Sequence, residues 1–139
     1  MLFMTNTASG ITGGRLEAKS KSPTEIAERY FKKGVKASTK AIAEEKKAMA
    51  ASSDAKKQGS LAKAQKHYLK AIGLYEKALK KAPNLSEART NLGYALLKTG
   101  NYSKAITALD AALNIDDRNE KALAYRAEAL TGLKQNGSK

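Results

Sequence analysis

Apolar residues recur at helical spacing along most of the chain, and the first such face follows a clear start signal. In Ser22-Pro23-Thr24-Glu25 the Ser can cap a helix, the Pro suits its first turn, and the Glu can return a hydrogen bond to the capping residue. Apolar positions at i, i+3 and i+4 spacing continue from Ile26 to Met49. The pattern predicts a helix over 23–51, roughly 43 Å long.

The rest of the chain predicts four more helices separated by short polar segments. A turn is expected over Ser52–Ser60, with Gly59-Ser60 as its sharpest break, because Gly and Ser interrupt helical patterns. The helices are expected over about 61–81, 86–98, 102–115 and 120–134, with no strand signal anywhere.

Part of this pattern repeats at a spacing of 34 residues. Ala71-Ile72 recurs as Ala105-Ile106, and Ala78-Leu79 recurs as Ala112-Leu113. A fixed period of this length is typical of stacked helical hairpins. It directs attention to a binding surface and away from a reactive pocket.

The motifs inside this period resemble those of the tetratricopeptide repeat (TPR) family. The best copy is Ser86–Asn119, in which Asn91-Leu92-Gly93 looks like the family's N-L-G and Gly100-Asn101-Tyr102 looks like its G-D/N-Y turn. Asp117 stands where the family usually has Pro, which predicts a looser connection. The resemblance implies an all-α, right-handed helical solenoid of about five antiparallel helices, with an elongated first hairpin and a C-terminal capping helix.

The first hairpin departs from the ordinary repeat length. Gly34 occupies the place of the N-L-G glycine, but it precedes Ala71 by 37 residues, whereas Gly93 precedes Ala105 by 12. The surplus of 25 residues is rich in Ala and Lys. We favour the interpretation that both helices of the first hairpin are extended and project beyond the solenoid. An alternative makes Ser53–Gln65 the first helix, because Gly59 keeps the 34-residue register.

The expected organisation is a single helical domain over 22–134 with a short tail at each end. Its parts are a flexible N-terminal tail (1–21), an extended hairpin (22–83), a standard repeat (86–117), a capping helix (119–134) and a C-terminal tail (135–139).

Charge adds a second candidate surface. The formal net charge is +13, and residues 1–83 carry +11 of it, so an anionic partner would meet the first half of the chain. The extended hairpin would form a basic arm able to bind an acidic protein, nucleic acid or lipid headgroups, or it is a solvated surface that keeps the chain soluble. Nucleic acid is the weakest of these partners, because the arm contains no Arg and one aromatic residue. The arm lysines are Lys36, Lys40, Lys46, Lys47, Lys56, Lys57, Lys63, Lys66 and Lys70.

The family resemblance implies a third feature, a concave face that binds a partner segment. Tyr94 and Tyr125 are its expected anchors, since Tyr combines a large contact area with a polar tip; alternatively both rings fill gaps between hairpins. Some family members clamp a terminal carboxylate, but Phe31, Val35 and Tyr125 stand where that clamp has Lys, Asn and Arg. By position the face comprises Phe31, Val35, Thr90, Asn91, Tyr94, Leu97, Lys98, Lys121, Ala124, Tyr125 and Glu128.

Catalytic chemistry is poorly supplied. The chain has no Cys, and its single His, His67, has no second metal ligand or nucleophile nearby in sequence. No enzymatic activity, cofactor or metal is therefore expected. No apolar run approaches the roughly 20 residues that span a bilayer. The start of the chain lacks an intact signal peptide, which favours the cytoplasm unless a leader was removed.

These observations predict a protein-interaction module or adaptor that binds another protein or a peptide segment through the concave face. Binding of an anionic surface by the basic arm and self-association through exposed solenoid ends are the alternatives.

Overall fold

The computed structural model describes residues 19–137 and contains five α-helices in that range, with no strand. This confirms the all-α expectation and the elongated first hairpin. Of the expected tails, residues 1–18 and 138–139 lie outside the described residues, while residues 19–21 are exposed. The helices are α1 (Pro23–Met49), α2 (Asp54–Lys81), α3 (Ser86–Lys98), α4 (Tyr102–Ile115) and α5 (Glu120–Gly137).

The start of α1 is built as the sequence predicts. The Ser22 hydroxyl accepts a hydrogen bond from the backbone N–H of Glu25 (3.2 Å), and the Ser22 N–H donates to the Glu25 carboxylate (2.8 Å). This reciprocal capping box satisfies two donors that would otherwise have no partner in the first turn. The helix then runs uninterrupted for 27 residues.

The first turn is shorter than the sequence predicts. α2 begins at Asp54, seven residues before the expected start at Leu61, because Ser53 caps it by accepting a hydrogen bond from the N–H of Lys56 (3.3 Å). Gly59 lies inside the helix, where it costs only about 1 kcal/mol relative to Ala. α2 is therefore one helix, and the alternative with a separate first helix over Ser53–Gln65 is wrong.

The left-handed glycine at the end of α3 explains why α2 continues where α3 stops. Gly100 has a φ of 81°, and the backbone N–H groups of Gly100 and Asn101 bond back to the carbonyls of Leu97 (3.0 Å) and Leu96 (2.9 Å). This arrangement ends a helix and needs a residue that tolerates positive φ. One repeat earlier Lys66 occupies the position of Gly100, so nothing ends the helix there.

Each hairpin is closed by a glycine pressed against a large side chain of the opposite helix. A Cβ added to Gly34 would lie 2.6 Å from Cε1 of the Tyr75 ring, and one added to Gly93 would overlap the side chain of Leu109. Tyr75 and Leu109 are 34 residues apart and both are fully buried. The two contacts are thus the same contact in successive hairpins, as expected from placing Gly34 in the N-L-G position.

α5 packs by one face only. Asn119 caps it by accepting a bond from the N–H of Ala122 (3.0 Å), and its side-chain amide donates to the Thr90 hydroxyl (2.9 Å), which ties α5 to α3. The opposite face leaves Leu123 and Leu130 about half exposed. α5 continues to Gly137, three residues beyond the expected end at Lys134.

Gly34→Ala should destabilise the fold by about 1–3 kcal/mol, because the new methyl group would overlap a ring that cannot move out of the core. Gly59→Ala is the matched control, since a Cβ there meets nothing within 4 Å. That substitution should stabilise the helix by about 0.4–1 kcal/mol. Urea unfolding followed by circular dichroism measures both changes. Equal effects of the two substitutions would contradict the close contact between Gly34 and Tyr75.

Candidate functional site

The first helices of the successive hairpins, α1, α3 and α5, meet along one side of the molecule. Between them lies an open cleft of about 320 Å³, which we call the groove. The residues that line it are Glu45, Leu97, Lys98, Tyr102, Glu128, Thr131, Gly132 and Gln135.

A carboxylate at one edge of the groove joins three helices. Glu45 of α1 forms an ion pair with Lys98 of α3 (Oε1 to Nζ, 2.7 Å) and accepts a hydrogen bond from the Tyr68 hydroxyl of α2 (2.9 Å). We call these three residues the Glu45 hub. Both oxygens of the carboxylate are thereby engaged, which is the condition under which a partly buried charge is well stabilised.

The protonation states in the hub match this geometry. Burial, with the neighbouring Tyr94 and Glu45, raises the pKa of the Tyr68 hydroxyl well above its usual range, so the phenol remains a donor. Burial alone would lower the pKa of Lys98, but the hydrogen bond and charge of Glu45 outweigh it and raise that pKa. The hub is therefore a charged pair with a neutral phenol at neutral pH.

A row of tyrosine rings runs from the hub across the three hairpins. The ring centroids of Tyr68 and Tyr94 are 6.0 Å apart in an edge-to-face arrangement, and those of Tyr94 and Tyr125 are 4.8 Å apart. The Lys98 ammonium lies 6.0 Å from the centre of the Tyr94 ring. Tyr94 and Tyr125 are only half-buried, so they pack between hairpins and also present ring area beside the groove.

Two residues expected on the concave face are buried. Thr90 is 3% exposed, with its hydroxyl donating to the Ser86 carbonyl and accepting from Asn119, and Leu97 is 5% exposed in the core. The helical position of these residues is as expected, but the packing of α5 over α3 covers them. They support the face from beneath and offer little surface to a partner.

The remaining residues of that expected face are at least partly accessible. Phe31 is half-buried with its ring 6.0 Å from that of Tyr75, and Asn91 is also half-buried. Val35, Lys121, Ala124 and Glu128 are exposed. The structure brings Tyr94, Lys98, Tyr125 and Glu128 together around the groove.

All nine lysines expected on the basic arm are exposed. Lys47 forms an ion pair with Glu44 (2.7 Å).

Sequence reasoning missed the role of Glu45, which it counted only as an acid opposing the arm lysines. Its partners are 23 and 53 residues away in the chain, so no local spacing marks them. The available signal was the Gly34–Tyr75 pairing, from which the register of α1 against α2 places Glu45 near Tyr68.

Within residues 19–137, no cluster of three or more His, Asp or Glu side chains could hold a metal ion. Over the same residues, no helix has the length and apolar character needed to cross a bilayer.

The Glu45–Lys98 pair should contribute about 0.5–1 kcal/mol of coupling energy, since its side chains are a quarter to a third exposed and solvent screens them in part. A double-mutant cycle with Glu45→Gln and Lys98→Met in urea measures it. The control cycle is Glu44→Gln with Lys47→Met, whose lysine side chain is 65% exposed. A hub coupling no larger than the control coupling would contradict a structural role for the hub.

Comparison with known proteins agrees with this architecture. The model of the tetratricopeptide repeat family matches residues 48–118, which is 71 of the 139 residues. No curated protein matches the chain. The match covers α2, α3 and α4 and excludes nearly all of α1, the helix whose length departs most from an ordinary repeat. Such repeats generally mediate protein–protein interaction and are typically non-enzymatic. The chain belongs to the tetratricopeptide repeat family.

Proposed function

We propose that this protein is an adaptor that binds a segment of a partner protein in the groove across α1, α3 and α5. The observation that carries the proposal is the convergence of the tyrosine row with the Glu45 hub on one open cleft. Aromatic area and charged groups are the features that concentrate binding energy at protein interfaces.

The groove offers two kinds of contact. Tyr94 and Tyr125 are held in place by their neighbours, so they lose little side-chain entropy when a partner covers them. Glu128 adds a carboxylate on the exposed side, and the Lys98 charge is already neutralised by Glu45. A fitting segment therefore has an apolar or aromatic anchor for the rings and hydrogen-bond donors toward Glu128.

Tyr125→Ala should weaken binding of groove-directed peptides at least about tenfold, because interface tyrosines commonly contribute more than 1 kcal/mol. The peptides are first selected from a random display library on the intact protein, and affinities are then measured by calorimetry. Tyr30→Ala is the matched control, as Tyr30 is a half-buried tyrosine with Lys77 over its ring, away from the groove. Thermal melts verify that both variants fold. Selected peptides that lose equal affinity in both variants would argue against the groove.

The basic arm is a second candidate surface, favoured by the full exposure of its nine lysines and the +11 charge of residues 1–83. An anionic partner bound there would dissociate as salt rises, whereas groove binding through rings would depend weakly on salt. A salt titration of the same complex separates the two surfaces.

Self-association is a third candidate, for which the observation is the exposed apolar face of α5. Leu123, Leu130 and Leu133 are 50%, 42% and 41% exposed and lie along the same helix. Sedimentation at several protein concentrations tests it.

A further inference from the structure

A second cleft lies between α1 and α2 and has a different character from the groove. Its volume is about 390 Å³. Four lysines and one histidine surround it, over a floor of small and apolar side chains. We call it the basic cleft; its lining is Lys33, Lys36, Lys40, His67 and Lys70, with Ala37 and Leu74.

Helix geometry explains why these residues converge. Lys33, Lys36 and Lys40 have i, i+3, i+7 spacing on α1, and His67, Lys70 and Leu74 have the same spacing on α2, so each set shares one helix face. The antiparallel register set by the Gly34–Tyr75 contact brings the two faces together.

The basic cleft and the groove lie on opposite sides of the first hairpin. At about 100° per residue, the three lysines of α1 point roughly half a turn away from Phe31 and Glu45, which face the groove side. The two sites can therefore be occupied at the same time, and occupation of one does not depend on the other.

The positive charge of the cleft is not compensated within the described residues. Among residues 19–137, no carboxylate lies within ion-pair distance of Lys33, Lys36, Lys40 or Lys70. The acid one turn beyond Lys40 is Glu44, which is already paired with Lys47. That hydrogen bond lowers the pKa of Glu44 and keeps its charge beside Lys47. Like charges around a concave surface repel one another and focus the potential, so an anion placed there is attracted.

We propose that the basic cleft binds an acidic segment of a partner protein. From Lys33 to Lys40 the cleft runs about 10 Å along α1, which is the length of about three extended residues. Acidic side chains two residues apart in such a segment would reach successive lysines. An apolar side chain between them would cover Ala37 and Leu74.

Other anionic partners fit the cleft less well. Its lining contains no Arg and no aromatic ring on which bases could stack, so nucleic acid lacks its usual contacts. A recess between two helices accommodates a single chain, whereas a bilayer presents a broad surface. The apolar floor gives nothing to a free phosphate ion.

The test uses the full chain and the fluorescein-labelled peptide Glu-Glu-Leu-Glu-Glu, with Gln-Gln-Leu-Gln-Gln as the neutral control peptide. Lys36→Glu with Lys70→Glu should weaken binding of the acidic peptide at least about tenfold in fluorescence anisotropy, because two attractive contacts become repulsive. Lys56→Glu with Lys57→Glu removes the same net charge from exposed positions of α2 outside the cleft. This control should change affinity less than about threefold, since charges farther from the ligand are screened by salt. Lys36→Arg with Lys70→Arg should retain binding.

Three results would overturn the proposal. The first is equal weakening by the two charge-reversal pairs, which would assign binding to the arm as a whole. The second is equal binding of the acidic and neutral peptides. The third is displacement of the acidic peptide by tripolyphosphate, single-stranded DNA or phosphatidylserine vesicles at lower charge concentration than an unlabelled acidic peptide. The groove proposal survives each of these results, because its residues lie on the other side of the hairpin.

Discussion

The contact between Gly34 and the Tyr75 ring sets the register on which both candidate surfaces depend. The ring is fully buried, and its hydroxyl lies 3.1 Å from that of Ser38, so it cannot swing aside. In this register Glu45 meets Tyr68 on one side of the hairpin, and the lysines of α1 meet those of α2 on the other. A slip of one helical turn, about 5.4 Å, would separate both sets of residues.

The extension of the first hairpin creates the Glu45 hub. α3 ends at Lys98, five residues after Gly93, and α4 begins at Tyr102. A first hairpin of the same length, aligned on Gly34, would not reach Glu45. The surplus residues therefore do more than lengthen an arm, because they return a carboxylate to the end of α3 and connect the arm to the next hairpin. An ion pair alone at a protein surface contributes little, but this one is supplemented by the Tyr68 hydroxyl and by partial burial.

The sequence predicted the five helices, the cap at Ser22 and the equivalence of Gly34 with Gly93, because periodicity and capping are local signals. It placed the start of α2 too late because Gly59 looks like a break, whereas its small intrinsic cost is outweighed by the packing of a long helix against α1. It could not show that Thr90 and Leu97 are covered or that Glu45 is a hub residue. Both facts depend on how deeply α5 packs and on how two long antiparallel helices align.

The two surfaces differ in how they use charge, and this follows from where acidic residues lie on α1. On the groove side Glu45 neutralises Lys98, so what remains for a partner is mainly aromatic area. On the opposite side the only nearby acid of the next turn, Glu44, is held by Lys47, and the lysines of the basic cleft keep their charge. Because solvent ions screen the second surface far more than the first, rising salt should release a partner from the cleft while one in the groove stays bound. A single hairpin can thus hold two partners of different chemistry, with the Gly34–Tyr75 contact supporting both.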